Sequence, residues 1–533
     1  MRLVNISLPA LLASAFLLAL AVPNPAQAQT PSAPVGIFDG HGDVGTVLHP
    51  GSVDYDPSAK TYTVSGSGDN VWAKEDDFQF VWKKVSGDVS LTADIAFLGK
   101  GVEEHRKAML MVRQSLDPDS PYADIAAHGV GLTSLQARAA QGDATHEVQA
   151  NQNGPKHLRL VKRGSTFYMS VAMEPGGDLQ FAGTEMRVPL AEPFYVGIGV
   201  CSHNKDVTEK AVFSNVELSP LRPVGNRKPD LFSSIETITV SSTDRHVTMT
   251  APARLEAPTW TRDGKTLIFV NNGRLQRVAE PGGTPEMADT GAIPHAGSTH
   301  AVSPDGAQLA FNDDAKGRST IYIEPLAGGT PRPVAPGRAP AWSPDGQTLL
   351  FTAPGDRKGQ TDIFTIPSNG GMPTQLTKTG MEDFAEYTPD GKTIYFQSAR
   401  TGTVQIWRMN PGGGQEMVTA EDSNNACPHI SPNGRLLAFL SYDKDVKGIP
   451  VDQPVTLKVM TLIPAPGRGA RGAAPAAPSG PPDIDQLRRS IAVLANLTGG
   501  QGTLDAPCWA PNSARLAFVS YHLLPHAPAA AAR

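Results

Sequence analysis

The sequence has little cysteine, little aromatic residue and no excess of positive charge. Three cysteines in 533 residues, Cys201, Cys427 and Cys508, are too few for the disulfide framework of a small secreted domain. Cys427 and Cys508 precede adjacent repeat units and could approach each other, but we interpret all three as small buried residues. The net charge of −6 and a pI near 6.1 provide no basic field for nucleic acid or anionic membrane. We therefore expect no nucleic-acid partner.

Long apolar runs are also missing after the first 28 residues. Residues 1–28 combine Arg2, an apolar run over residues 8–22 and the small-residue site Ala-Gln-Ala at 26–28, which is typical of a secretory signal peptide. The alternative is a membrane anchor, but prolines interrupt a run that is too short to span comfortably. We expect a mature chain from Gln29 that is periplasmic or secreted, without stable membrane insertion.

The sequence is rich in residues that form turns, with 52 Gly and 47 Pro, and its second half contains an internal repeat. The unit first appears as TRDGKTLIFV at residues 261–270, where a short strand enters a tight turn and an alternating strand leaves it. The first five copies recur 40 to 45 residues apart, and such a period is typical of β-propellers. The turn residue of each copy is Asp263, Asp305, Asp345, Asp390, Asn433 and Asn512.

The two ends of the repeat region supply half a blade each. Strands near residues 235–240 and 246–250 precede the first unit, and residues 508–521 provide two strands after the last one. Pairing them predicts a closed six-bladed propeller over residues 232–524, because closure removes the exposed sheet edges. A Pro/Ala/Gly-rich insertion at residues 464–482 separates the outer strands of one blade, and we expect it to be disordered.

Residues 35–219 lack the repeat, and residues 221–231 form a linker. Alternating stretches such as residues 89–97 predict short strands in a two-sheet sandwich, independent of the propeller. The words FQFV at 78–81, MVR at 111–113 and SHN at 202–204 resemble the laminin-G-like, concanavalin-type jelly-roll family. That resemblance implies glycan contacts at Trp72, Trp82, Arg113 and His203; we favour the alternative that the aromatics are core residues and His203 shapes a loop. The predicted fold is therefore all-β: a two-sheet jelly-roll sandwich followed by a six-bladed β-propeller.

Longer words in the repeat region resemble one propeller family more closely than the turn does. TGTVQIWRM at 401–409, YDKDVKG at 442–448 and GGQGT at 499–503 are similar to exported TolB-like six-bladed propellers. True TolB carries an α/β domain before its propeller, whereas a β-sandwich takes that place here. The resemblance therefore implies a periplasmic location and leaves a role in the Tol–Pal complex doubtful.

Strand direction places the chemically richer loops on one propeller face. The Pro-Asp-Gly turns share one face, so the loops between blades and between second and third strands share the other. These loops should converge on the mouth of the central channel, the default binding site. The predicted ligand-binding residues are His300, Glu382, Asp383, Asn424, Asn425, His429, Asp443, Lys444, Lys447 and Gln501.

Two function classes fit this mouth. The favoured one is a non-catalytic binding or scaffold protein for a cell-envelope protein or glycan, with no cofactor. The other resembles metal-dependent polysaccharide lyase propellers, with a divalent metal in the mouth, and would make the chain a carbohydrate-active enzyme. Its metal ligands would be His300, His429 and Gln501, its acid Asp383, and its base Lys444 or Lys447. We favour histidines that hydrogen-bond neighbouring blades over metal ligands, and no Gly-x-Ser-x-Gly elbow of a serine hydrolase occurs.

Overall fold

The computed structural model of the chain describes residues 33–223, 228–291, 297–314, 319–463 and 483–525. Within these ranges the chain is all-β apart from one short helix, α1 (Ile484–Arg489). No helix in the described ranges has the length and apolarity needed to cross a membrane. The predicted signal peptide at 1–28 and the insertion at 464–482 lie outside the described residues.

The first part of the chain folds as two facing β-sheets. Its strands are β1 (Gly40–Val44), β2 (Ser52–Asp56), β3 (Thr61–Gly66), β4 (Val71–Trp72), β5 (Glu75–Asp76), β6 (Phe78–Val85), β7 (Val89–Leu98), β8 (Lys107–Arg113), β9 (Tyr122–His128), β10 (Thr133–Arg138), β11 (His146–Gln149), β12 (His157–Arg163), β13 (Thr166–Ala172), β14 (Gln180–Arg187), β15 (Phe194–Cys201) and β16 (Glu209–Pro220). One sheet has the order β14-β13-β12-β7-β16-β3-β2, and the other begins β1-β6-β15-β8-β9-β10-β11.

The period of two along these strands explains the core. On β8, Ala108, Leu110 and Val112 enter the apolar cluster between the sheets, whereas Met109 and Met111 point to the opposite face, under the β4–β5 hairpin. We call these two sheets the sandwich. Its assignment to the laminin-G or concanavalin type stays a prediction.

The four residues considered for glycan contact are held by the protein itself to different degrees. Arg113 is fully buried and pairs with Asp76 at 3.4 Å, so it is a core residue. Trp72 and Trp82 are partly buried, and Trp82 packs against Phe80 with ring centroids 5.8 Å apart. His203 lies in a loop, with Nε2 3.2 Å from the Asn70 amide nitrogen.

The second part of the chain contains five four-stranded antiparallel sheets, numbered blades 1 to 5 in chain order. Two strands precede them, β17 (Asp230–Thr239) and β18 (Arg245–Ala251), and one follows, β39 (Arg515–Leu524). Blade 1 contains β19 (Leu255–Trp260), β20 (Thr266–Asn271), β21 (Arg274–Ala279) and β22 (Glu286–Met287), and blade 2 contains β23 (His300–Val302), β24 (Gln308–Asp313), β25 (Thr320–Pro325) and β26 (Arg332–Pro336). Blade 3 contains β27 (Arg338–Trp342), β28 (Thr348–Pro354), β29 (Thr361–Pro367) and β30 (Thr374–Gln375), and blade 4 contains β31 (Glu382–Tyr387), β32 (Ile394–Ser398), β33 (Gln405–Asn410) and β34 (Gly413–Met417). Blade 5 contains β35 (Asn424–Ile430), β36 (Leu436–Tyr442), β37 (Gln453–Thr461) and β38 (Ala492–Gly499).

The repeated turn has one physical design. In blade 2 the Ser303 hydroxyl donates to Asp305 at 2.5 Å, and the same carboxylate oxygen accepts the Ala307 N–H at 3.0 Å. Gly306 then takes φ +76°, which glycine adopts without a steric penalty. Hydrogen bonds from the serine hydroxyl and the backbone lower the pKa of Asp305. The conserved letters of the repeat therefore encode the turn itself.

The strands at the two ends of the propeller do pair, as predicted. β17 runs antiparallel to both β18 and β39, and we call these three strands the closing strands. One face of β39 packs with Trp509 and Leu457 of blade 5, and the other with Trp260 and Leu267 of blade 1.

The predicted count of six four-stranded blades is not found among the described residues. Five such blades are present, and the innermost position beside β39 is reduced to a single bridge between Trp509 and Leu516. On the outer side, β18 pairs in parallel with β11 of the sandwich, with Val148 opposite Arg245. The closing strands are consequently part of one ten-stranded sheet.

This shared sheet makes the prediction of two independent domains wrong. Besides the β11–β18 pairing, Phe181 of β14 packs on Phe232 and His522, with ring centroids 5.5 and 5.0 Å apart. A two-residue parallel pairing between distant strands cannot be predicted from sequence, because it depends only on which strand edges are exposed in the folded domains.

Candidate functional site

The innermost strands of four blades share an irregularity where they border the central channel. Their registers shift between residues 256 and 259, 338 and 341, 383 and 386, and 426 and 429. Each shift contains a non-glycine residue at positive φ, namely Ala257, Ala339, Phe384 and Cys427, at 49° to 55°. A β-bulge bends a strand and redirects its side chains, so the same device shapes the channel wall in four blades.

The residue just before each bulge lies five positions before the repeat turn begins. This position carries Glu256, Ser298, Arg338, Asp383, Ala426 and Asp505 in successive repeats, which we call the mouth ring. Arg338 and Asp383 form an ion pair of 2.5 Å, while Glu256 and Ser298 act electrostatically on Asp505. Three carboxyl groups and one guanidinium therefore meet at the channel mouth.

Below the mouth ring, His429 links three parts of the propeller. Its Nδ1 lies 3.0 Å from Glu386 Oε2 of blade 4, and its Nε2 lies 2.8 Å from the Leu504 carbonyl oxygen. A carbonyl oxygen accepts only, so Nε2 donates. These two contacts therefore connect β35 of blade 5 to blade 4 and to the segment that precedes the last repeat turn.

Asp505 is the most perturbed carboxyl group of the mouth ring. Burial raises the pKa of Asp505 to about 7, against the opposing effect of the Gly502 N–H, which donates to Oδ2 at 3.0 Å. The other oxygen, Oδ1, has no hydrogen-bond partner among the described residues. Burial likewise raises the pKa of Glu256. Both groups favour a nearby positive charge, since it would stabilise their ionised forms.

His300 and His429 border the same narrow cavity of about 20 Å³ in the channel. His300 is buried, its Nε2 lies 3.4 Å from the Ile268 carbonyl oxygen, and burial lowers its pKa to about 4. Gln501 is exposed on another loop. Within the described ranges no three His, Cys, Asp or Glu side chains are grouped as metal ligands. The arrangement thus brings the two histidines together without a ready metal site.

Glu382 and Asp383 begin β31 rather than occupying a loop, which corrects the prediction. Glu382 is fully buried and pairs with Arg400 at 2.6 Å. Burial alone would raise its pKa, but hydrogen bonds from neighbours such as Thr379, together with Arg400, lower it. Glu382 is therefore structural, whereas Asp383 belongs to the mouth ring. The repeat places such residues in the strand because each inner strand starts at the mouth.

Asn424 and Asn425 are likewise strand residues of β35 and are buried, where loop positions were predicted. The Asn424 amide donates to the carbonyl oxygens of Asp443 and Val446 at 2.9 and 3.1 Å. Asn425 donates to Gln405 Oε1 at 3.0 Å. Both amides are occupied by the protein, so they shape the neighbouring loop instead of facing a ligand.

The remaining predicted residues are exposed. Asp443, Lys444 and Lys447 lie in the loop between β36 and β37, where Lys444 pairs with Asp422 at 2.7 Å. The same loop returns to the mouth: the Gln501 N–H donates to the Pro450 carbonyl oxygen at 2.7 Å. Asp443 borders a separate cleft at the sandwich. Gln501 neighbours Gly502, whose carbonyl oxygen accepts from the Ala257 N–H at 2.6 Å, so Gln501 is the exposed predicted residue beside the mouth ring.

Sequence reasoning missed Glu256, Arg338, Glu386 and Asp505. A signal for three of them was present, since counting back five residues from each repeat turn locates the mouth ring. Glu386 lies three residues after the mouth-ring residue Asp383, just as His429 lies three residues after Ala426 in the next blade. The sequence prediction placed the site in loops, whereas the channel is lined by the first residues of the inner strands.

Comparison with known proteins agrees with the propeller architecture. Residues 295–467 match the family model "TolB beta propeller domain". The Agrobacterium fabrum protein Atu1656, which is uncharacterized, is 36% identical over 296 residues, covering 54% of this chain and 92% of its own. A Tol-Pal system protein TolB of Francisella tularensis is 28% identical over 35% of this chain and 45% of its own length.

A solved structure from Agrobacterium tumefaciens is 35% identical and covers 55% of this chain and 99% of its own, with a TM-score of 0.48. The chain spans less than half of the Francisella TolB and nearly all of the Atu1656 protein. The family-model match and the 36% identity to the Atu1656 protein over 92% of its length, taken with the repeated turns and the blades, show that the chain belongs to the TolB-type β-propeller family.

Proposed function

We propose that this protein is a non-catalytic binding protein of the cell envelope, which captures a protein or glycan at the propeller mouth. The observation that carries the proposal is the mouth ring, where Glu256, Asp383 and Asp505 face the single cation Arg338. The exposed Gln501 lies beside the same opening. The Tol-Pal relative supports an envelope setting, and the signal-peptide pattern of residues 1–28 supports export to the periplasm.

The mouth suits recognition better than catalysis. Both nitrogens of His429 have oxygen partners within the protein, and Glu382 is fully paired. A lyase would need these groups free to hold a metal or move a proton at the substrate. The excess of carboxyl groups instead favours a ligand that presents cationic or hydrogen-bond-donating groups.

We also propose that the closing strands act as the sixth blade of the ring. They fill the space between blade 5 and blade 1, and the stretch around Trp509 continues them toward the channel through the Ala517 N–H, which donates to the Cys508 carbonyl oxygen at 2.8 Å. The outermost position is filled by β11 of the sandwich. The sandwich, proposed to be of the laminin-G or concanavalin type, would thereby be fixed against the outer edge of the propeller.

Added positive charge on each of the two propeller faces tests the binding site. Gln501→Lys places a positive charge beside the mouth, where it should repel a cationic ligand, and the matched control Gln347→Lys makes the same change at an exposed repeat turn on the opposite face. Immobilised protein is exposed to biotinylated envelope extract, with protease or glycan-degrading treatment in parallel arms. We expect the mouth variant to lose at least tenfold more captured material than the control. Equal capture by both variants would overturn the proposal.

A further inference from the structure

A cleft of about 910 Å³ lies between the sandwich and blade 5. It lies apart from the channel and shares none of the mouth-ring residues. Domain interfaces are common positions for binding sites, and this volume is in the range of ligand sites. The walls of the cleft indicate which kind of ligand fits.

One wall is the free edge of a β-sheet. Residues 493–498 of β38 line the cleft consecutively. Alternate residues of a strand point to opposite faces, so a cleft bordering only one face would touch every second residue. Six consecutive residues mean that the backbone edge itself faces the cleft. β38 pairs only with β37 among the described strands.

The opposite wall is the outermost strand of the other domain. Glu185, Met186 and Arg187 of β14 line the cleft consecutively, and β14 ends the seven-stranded sheet of the sandwich. Two sheet edges thus border one cavity. An extended peptide can add to such an edge through main-chain hydrogen bonds, with side chains alternating between the walls. Six residues of β38 span about 20 Å, the length of a six-residue extended peptide.

The charges of the cleft favour a cationic peptide. Arg245 and Lys458 border the cleft, but each is paired with a carboxylate outside its lining, Glu236 at 2.7 Å and Glu421 at 2.9 Å. The remaining lining charges are the carboxylates of Glu147, Glu185 and Asp443 and the guanidinium of Arg187. The unbalanced charge is therefore negative.

Two buried polar atoms at this cleft also lack hydrogen bonds. Tyr442 and His522 line it and are nearly inaccessible, at 4% and 1% exposure. The Tyr442 hydroxyl has no hydrogen-bond partner in the described ranges, and His522 Nδ1 has only an ion-pair contact with Glu185 Oε2 at 3.5 Å. Buried polar groups without partners are uncommon in folded proteins, so this end of the cleft retains unused hydrogen-bonding capacity.

We propose that the cleft binds an extended, positively charged peptide segment, which adds as a strand to the free edge of β38. This site is separate from the propeller mouth, and the proposal does not depend on the proposed function. The bound segment would carry small apolar side chains on one face, toward Leu494 and Leu497, and lysine or arginine on the other, toward Glu147 and Glu185.

Fluorescence anisotropy with a labelled hexapeptide, Val-Lys-Val-Thr-Val-Lys, tests this proposal on the full chain. We expect saturable binding that weakens at least tenfold when alternate peptide nitrogens are methylated or when glutamate replaces lysine. Absence of binding, or equal affinity for the methylated peptide, would overturn the proposal. Binding of a neutral oligosaccharide such as chitotriose at the cleft, in the absence of peptide binding, would reassign the cleft to glycans and also overturn the proposal.

Variants locate the binding on the cleft. Glu147→Gln with Glu185→Gln should weaken peptide binding three- to tenfold and reduce its salt dependence, since both negative charges are removed while the side-chain shapes are kept. Ala495→Pro and Asn496→Pro are tested separately, because one of two adjacent N–H groups points to β37 and the other to the cleft. One of them should abolish binding with little change in melting temperature.

The matched control is Gln415→Pro on β34, the outermost strand of blade 4, which should leave peptide affinity unchanged. Undiminished binding in both β38 proline variants, each shown to be folded by its melting curve, would place the peptide elsewhere and contradict the proposal.

Discussion

Replacing His429 by alanine should destabilise the propeller, although the residue borders the candidate site. The substitution removes both hydrogen bonds of the imidazole, to Glu386 and to the Leu504 carbonyl oxygen. Leu504 is fully buried, so its carbonyl oxygen would lose a partner without access to bulk water. The Glu386 carboxylate is partly accessible and would be better hydrated.

The magnitude follows from these two acceptors. A buried group left without its hydrogen bond costs about 1–3 kcal/mol, with charged partners at the upper end. Allowing for hydration of Glu386, we expect a loss of about 2–4 kcal/mol in the free energy of unfolding. Asp443, by contrast, is exposed in its loop.

Urea denaturation, followed by tryptophan fluorescence, measures this loss. Asp443→Ala is the matched control and should change the free energy of unfolding by under about 0.5 kcal/mol. Glu386→Gln should be milder than His429→Ala, because the glutamine amide can still hydrogen-bond to Nδ1 and the Leu504 contact remains. If His429→Ala is as stable as the control, the two hydrogen bonds do not link the blades as described.

Three further predictions concern closure, coupling and pH. Deleting residues 515–533 removes β39, which fills the space between blades 5 and 1, so cooperative unfolding should be lost; a truncated chain that melts like the full one would contradict this. Because β11 pairs with β18, the full chain should unfold in a single calorimetric transition, and two well-separated transitions would show that the sandwich and propeller are uncoupled. The pKa of Asp505 is raised to about 7 from 3.8, so the folded state binds the extra proton and stability should fall as pH rises from about 4 to about 7. Asp505→Asn should reduce the difference between the unfolding free energies at pH 4 and pH 8 by a few kcal/mol, of order 1.4 kcal/mol per pKa unit. An unchanged difference would refute the raised pKa of Asp505.

The repeat made the propeller predictable from sequence, whereas its junctions were not. The Ser-Pro-Asp-Gly turn identifies itself because hydroxyl, carboxylate and glycine each serve the local backbone, so spacing alone reveals the blades. The pairing of the end strands also followed from the need to close a sheet edge. The join of β18 to β11 involves only two residue pairs and leaves no pattern in the sequence.

The candidate site was predictable to a smaller extent. His300 and His429 were identified and do share the channel, and Asp383 does reach the mouth. Asn424, Asn425 and Glu382 are polar residues beside the mouth, but their side chains satisfy other groups of the protein. A sequence shows which residues can form hydrogen bonds; it does not show which of them have already done so in the fold. The bulges at Ala257, Ala339, Phe384 and Cys427, which direct the inner strands, also have no shared residue type.

Site-specific photo-crosslinking in the native envelope tests the central claim most directly. A photoreactive amino acid at Gln501 probes the mouth, and one at Lys392 probes the opposite face, both at exposed positions. The account predicts discrete adducts with an envelope protein or glycan from position 501, and none of those adducts from position 392. The same adducts from both positions, or none from 501 while the protein remains folded, would contradict recognition at the propeller mouth.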